Sequence, residues 1–276
     1  MVFFTGKGGV GKSALASATA LACKKKNKPV FLVSWNPFDT KARSLPFESL
    51  GIQHFVLESA QCFKEYALTI LKFKSIVELL VGNKIVNKFI SAAPGLSEAV
   101  IAGKIWDLTT HATDALVLVD LPSSGHAYSF FSSPLGLRNL FKVGLVHREI
   151  ERICAMYFSP ETAIQLVTLP EELPTTETIE LRKKLMELGS FTFNPLVLNQ
   201  CLPNFPGERL EPQSAQHSLS PEDLNLVRHF EFLNQQQQEA EKELGSHHIP
   251  FLKIPKLTEP EWITTVESIA EHLRTL

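Results

Sequence analysis

Between the apolar run Val2-Phe3-Phe4 and an alanine-rich run that starts at Lys12 lies Gly6-Lys-Gly-Gly-Val-Gly-Lys-Ser13. A strand-forming run that enters such a glycine cluster and leaves as a helix has few conformations open to it. The expected unit is a strand, a tight loop and a helix whose axis points back along the strand. Glycine lets successive backbone N–H groups converge on one point, and the N-terminus of the following helix adds its dipole there. The result is a cradle for phosphate. The spacing Gly6-x-x-x-x-Gly11-Lys12-Ser13 sharpens the reading, because it places a lysine to reach the β- and γ-phosphates and a hydroxyl to ligate Mg²⁺. The sequence therefore predicts a site for ATP and Mg²⁺ built from Gly8, Gly9, Val10, Gly11, Lys12, Ser13 and Ala14. A glycine-rich turn that binds nothing is the plain alternative.

The rest of the chain agrees with that opening. Short apolar runs at Val2–Thr5, Val30–Ser34, Ala115–Asp120, Ile164–Leu169, Leu196–Asn199 and Phe251–Ile254 read as strands buried on both faces, since most lack polar alternation. Helical stretches fall between them at Lys12–Lys26, Thr175–Leu188, Pro221–Leu244 and Glu259–Thr275. This rhythm predicts a doubly wound, mostly parallel α/β sheet of the P-loop type in a single domain. Two insertions, about 47–111 and 126–160, are too long for plain crossovers and predict a helical subdomain on one edge of the sheet. With 276 residues, 44% of them hydrophobic, the chain can bury a full core. A net charge of −2 gives no positive field to hold a polyanion, so nucleic acid is not an expected partner. The four cysteines show neither metal spacing nor a disulfide pattern. No apolar run approaches the ~20 residues that span a bilayer, and the strand-like start leaves no room for a leader. The expectation is a cytoplasmic chain without stable membrane insertion.

Lys7, at the second position of the loop, gives the variant Lys-Gly-Gly-x-Gly-Lys-Ser. Here the sequence resembles the deviant phosphate-loop ATPases, among them the nitrogenase iron protein, division-site positioning ATPases, arsenite-pump ATPases and tail-anchored-protein targeting ATPases. In those families the extra lysine crosses a dimer interface to the phosphates of the opposite subunit, so the resemblance implies nucleotide-dependent dimerisation. A solvated loop lysine is the alternative. Further segments resemble the arsenite-pump and targeting branch. Leu116-Val-Leu-Val-Asp120, followed by Gly125-His126, is similar to its second switch, which implies that Asp120 holds Mg²⁺, usually through water. Val167-Thr-Leu-Pro170, running on to Glu177-Thr178, is similar to its strand-Pro-Glu stretch. Leu196-Val-Leu-Asn199-Gln200 resembles the strand whose asparagine reads adenine, an amide offering both a donor and an acceptor to that base. Pro255 falls in a stretch similar to the late loop that closes over the base.

Other positions depart from the branch. Its first switch reads Asp-Pro-Ala-His, and here Asn36-Pro37-Phe38-Asp39 takes that place. An amide orients water but cannot accept its proton, so hydrolysis is in doubt where binding is not. Asp39 could supply the carboxylate if the loop folds differently, or it is an ordinary turn residue. Ala14 replaces a hydroxyl near the α-phosphate, and no C-x-x-C follows Asn199-Gln200 to staple a dimer through zinc. The resemblance implies an ATPase that dimerises and captures or targets a membrane protein or other hydrophobic client. A weakly hydrolysing subunit paired with an active paralogue is the alternative. An anion-pump ATPase ranks lower, as does a positioning ATPase on membrane or nucleoid, whose basic tail the acidic last helix does not offer.

Overall fold

The computed structural model describes residues 1–35, 47, 50–71, 95–111, 114–203, 220–257 and 261–275. Among them are eight strands: β1 (Val2–Thr5), β2 (Val30–Trp35), β3 (Gln53–Leu57), β4 (Leu116–Asp120), β5 (Ala163–Thr168), β6 (Thr192–Phe193), β7 (Leu196–Cys201) and β8 (Phe251–Pro255). The helices are α1 (Lys12–Lys25), α2 (Ser59–Leu71), α3 (Leu96–His111), α4 (Ser124–Leu140), α5 (Gly144–Tyr157), α6 (Glu172–Leu188), α7 (Pro221–Ser246) and α8 (Trp262–Thr275). The strands form one sheet in the order β3-β2-β4-β1-β5-β7-β8, with β6 beside β5. Every strand pairing is parallel.

Both faces of this sheet are covered, which is why its strands are apolar throughout. On one face Phe3, Val33, Trp35, Val117, Val119 and Ile164 meet side chains of α3, α4, α5 and α6. The rings of Phe3, Phe130, Phe131 and Tyr157 interlock there at centroid distances of 5.1–6.0 Å. The buried Tyr157 hydroxyl donates to the Phe130 carbonyl at 2.9 Å. On the other face Phe4, Leu32, Leu118 and Val197 meet α1 and α8. Buried Ala14, Ala16, Ala18, Ala20 and Ala22 let α1 lie close to sheet and neighbour alike.

The chain leaves β1 toward β2 and β3, returns to β4, and crosses to β5 on the far side of β1. That reversal opens a crevice at the C-terminal ends of β1 and β4, the position where open α/β sheets bind ligands.

Three differences from the sequence expectation stand out. Gln53–Leu57 falls inside the stretch read as a helical insertion, yet it is a strand paired with β2 along its whole length. It lies at the sheet edge with Gln53 and Val56 exposed, so it lacks the continuous apolar run of its inner neighbours. Helix α6 begins at Glu172, ahead of the expected Thr175. Pro174 sits in its first turn, where a missing N–H leaves no helical bond unmade. The described helices of both insertions, α3, α4 and α5 among them, lie over the sheet face rather than beyond its edge. Residues 72–94 of the first insertion lie outside the described residues.

Candidate functional site

The loop after β1 is fixed by contacts that leave room only for glycine at two positions. A Cβ on Gly6 would stand 2.0 Å from the Val167 carbonyl oxygen of β5. Gly11 has φ +92°, and a Cβ there would stand 2.3 Å from Nδ2 of Asn199. That same Nδ2, on a side chain 5% exposed, donates to the Val10 carbonyl at 2.9 Å. Asn199 therefore braces the loop from β7. Val10 is fully buried beneath the loop.

Gly11 is the N-cap of α1, no side chain caps it, and the first turn holds no acidic residue. The first N–H groups of the helix have no partner within the helix, and the positive end of its dipole faces the crevice. A cavity of about 640 Å³ opens there, and Gly8, Gly9, Gly11, Lys12, Ser13, Ala14 and Asp120 all line it.

Charge inside this cavity is held under tension. Lys12 is only 9% exposed, and its ammonium donates to the Lys7 carbonyl at 2.8 Å. Burial pulls its pKa below the usual lysine range, while the charge of Asp120 opposes the shift. Burial likewise pushes the Asp120 carboxyl above its usual range, against a hydrogen bond from Ser13 and the charge of Lys12. One Asp120 oxygen, Oδ1, is buried without a hydrogen-bond partner among the described residues. Such an oxygen beside the Ser13 hydroxyl suits a small, hard cation. Among the described residues no three His, Cys, Asp or Glu side chains gather to form a protein cage. A cation here would complete its shell with phosphate oxygens and water, as Mg²⁺ does.

Lys7 extends the loop outward. Its ammonium pairs with Oε1 of Glu177 in α6 of the same chain at 2.7 Å, both side chains being partly exposed. Gly125 and His126 sit in the first turn of α4, just past Asp120, and do not line the cavity. Gln200 is exposed at φ +61°, and the N–H of Lys256, next to Pro255, donates to the Cys201 carbonyl at 2.7 Å. Asn199, Gln200 and Pro255 thus gather at the ends of β7 and β8, off the lining of the cavity. Asn36 and Asp39 lie outside the described residues.

The cavity wall also carries residues that sequence reading did not single out. The Ser34 hydroxyl meets Nε2 of His54 at 2.9 Å, and Phe47 covers the imidazole edge-on at 4.7 Å. A lone histidine on a weak edge strand has no spacing signal. Only the pairing of β2 with β3 brings it to the site.

A phosphate-cradling glycine loop, a bare helix N-terminus, a buried lysine and a strand-end carboxylate at the switch of a parallel sheet define a P-loop nucleotide-binding protein. More narrowly, the chain belongs to the anion-transporting ATPase family, whose profile matches residues 1–160. It is 29% identical over 230 residues to the ATPase BagA of Mycobacterium tuberculosis, a match covering 76% of this chain and 66% of that protein. It is 24% identical over 152 residues to ATPase ASNA1 homolog 1 of Paramecium tetraurelia, covering 52% of this chain and 45% of the relative. The ASNA1 homolog of Entamoeba dispar is 24% identical over 261 residues, with 73% and 76% covered. The chain spans less than two thirds of the length of the first two relatives.

Proposed function

We propose that this chain binds ATP with Mg²⁺ at the Gly6–Ser13 loop and, as a dimer, couples binding and hydrolysis to the capture or targeting of a hydrophobic client. The observation that carries nucleotide binding is the bare N-terminus of α1, with Lys12 and the partnerless Asp120 Oδ1 in one cavity. In this reading the loop N–H groups and Lys12 take the phosphates, Lys12 turning from the Lys7 carbonyl to do so. Ser13 and Asp120 hold Mg²⁺, which when bound neutralises charge on the phosphates. The names of the relatives, ATPases throughout, support the same activity.

Support for a hydrophobic client comes from the end of α4, the start of α5 and the turn between them, where Leu140, Phe141, Val143, Leu145 and Val146 are 39–83% exposed. Runs of exposed apolar residues on this scale mark interaction sites. Support against thiol chemistry comes from Cys62 and Cys201, both pushed up by burial to about 11, so neither offers a thiolate near neutral pH. No helix among the described residues is long and apolar enough to cross a membrane.

Titration with ATP and Mg²⁺ by calorimetry tests the reading. Saturable binding that is lost in Lys12→Ala, and loses its Mg²⁺ dependence in Asp120→Asn, supports it. A wild-type chain that binds no nucleotide overturns it.

A second reading, a weakly hydrolysing subunit that pairs with an active paralogue, is favoured by Asn36, whose amide cannot take a proton. Phosphate release by the isolated chain separates the two. Vigorous turnover refutes the inactive reading, and a rise in Asn36→Asp identifies the missing carboxylate as the defect.

A further inference from the structure

The wall of the cavity that faces the phosphate loop carries a second polar group. Ser34 and Asp120 are register partners on the adjacent strands β2 and β4, so their Cα atoms stand about 4.8 Å apart and their side chains share a face. Asp120 in turn accepts from Ser13, the neighbour of Lys12. The Ser34 hydroxyl thus lies one strand away from the carboxylate at the phosphate end of the cavity. Pairing of β2 with β3 sets His54 opposite Leu32, and from there its Nε2 reaches Ser34 Oγ at 2.9 Å.

Among the described residues that line this cavity the charged groups are Lys12 and Asp120, and His54 is the remaining side chain able to take up a proton. Lys12 is a donor, and in the ATPase reading the Asp120 carboxylate, its Oδ1 included, is committed with Ser13 to Mg²⁺. The residue that follows β2, Asn36, carries an amide with no basic atom.

We propose that Ser34 and His54 form a relay that accepts the proton of the water attacking the terminal phosphate of bound ATP, in place of a carboxylate at Asn36. The proposal rests on ATP hydrolysis at the Gly6–Ser13 loop. The water oxygen bonds to the terminal phosphorus as the bond from that phosphorus to the bridging oxygen breaks, and ADP leaves with the electron pair. The proton of the water passes to Ser34 Oγ while the Ser34 hydroxyl proton moves to His54 Nε2. The imidazolium returns it to solvent as phosphate departs. Burial keeps the His54 pKa below the usual imidazole range, so at neutral pH the ring is uncharged. With its proton on Nδ1, Nε2 is free to accept. Packing of Phe47 against the ring fixes its direction. In this relay Ser34 meets the water, and His54 acts through Ser34 as a positioning residue.

Ser34→Ala, His54→Gln and His54→Ala test the relay in the full chain, each checked for fold by circular dichroism and for ATP affinity by calorimetry. Glutamine keeps a hydrogen-bonding end near Ser34 but cannot take the proton. The expected result is a fall of about 10²-fold in kcat for each single change, the scale of general base catalysis, with ATP affinity unchanged. The Ser34→Ala/His54→Gln double variant should fall no further than either parent, and added imidazole should restore part of the rate to His54→Ala. Parent-level turnover in Ser34→Ala and His54→Gln, or a loss that follows ATP affinity alone, overturns the relay and leaves the ATPase reading standing. A parent chain that binds ATP but never turns it over overturns both.

Discussion

One of the two Nδ2 hydrogens of Asn199 goes to the Val10 carbonyl within a cluster closed to water. Removing the side chain strands a buried carbonyl at the turn of the loop, which costs about 1–3 kcal/mol. Sequence resemblance gives this residue a different task, contact with adenine. The two roles separate in one measurement. A brace acts on the loop whatever base is bound, so Asn199→Ala should lower stability to denaturant by about 1–3 kcal/mol and weaken ATP and GTP alike. Weakening of ATP alone, with stability unchanged, would assign the side chain to the base instead. Glycine at position 11 belongs to the same contact, because any Cβ there would collide with the amide that Asn199 presents.

At the scale of elements, helix α7 divides into two halves. Gln237, Ala240 and Leu244 anchor its second half, whereas Leu226, Phe230 and Phe232 in the first stand 43–55% exposed. A reciprocal capping box holds the start, with Ser220 Oγ accepting from the Asp223 N–H at 3.2 Å and Asp223 Oδ2 accepting from the Ser220 N–H at 3.1 Å. With so little core beneath that half, Ser220→Ala should release about 1 kcal/mol locally. Hydrogen exchange should quicken over residues 221–233 while residues 237–246 and the melting temperature change little. Equal quickening along the whole helix would show that the two halves open together. The start of this helix at Pro221 was readable in the sequence because proline at a first helical position is local chemistry, as were β1, β2, β4, β5 and β7, each a nearly unbroken apolar run. Lys12 and Ser13 were readable for a related reason, since spacing along one strand–loop–helix unit locates them, whereas Asp120 was readable through the resemblance of its strand, with Gly125-His126, to the second switch. Edge strand β3 hid behind its exposed Gln53 and Val56. His54 was illegible because what gives it a role is a neighbour on another strand, and strand pairing is not written in local pattern.

For the whole molecule, the dimer reading requires a change in the single chain before two copies can close over nucleotide. In the dimer reading Lys7 reaches the phosphates of the opposite subunit, but in the single chain its ammonium is paired at 2.7 Å with Glu177. If the ammonium must leave Glu177 to cross, Glu177 competes with dimerisation. The pair is 32% and 42% exposed, a setting in which an ion pair contributes about 0–1 kcal/mol to folding. Its loss should therefore spare the fold and act on association alone. Glu177→Gln should leave the melting temperature nearly unchanged and shift the ATP-dependent monomer–dimer balance toward dimer by up to about fivefold, the equilibrium equivalent of about 1 kcal/mol. Lys7→Ala should retain ATP binding yet fail to associate. Sedimentation velocity with and without a non-hydrolysable ATP analogue reads both. If Glu177→Gln instead weakens association, the acid serves the dimer rather than restraining it, and Lys7 keeps Glu177 as a support when it crosses to the opposite subunit.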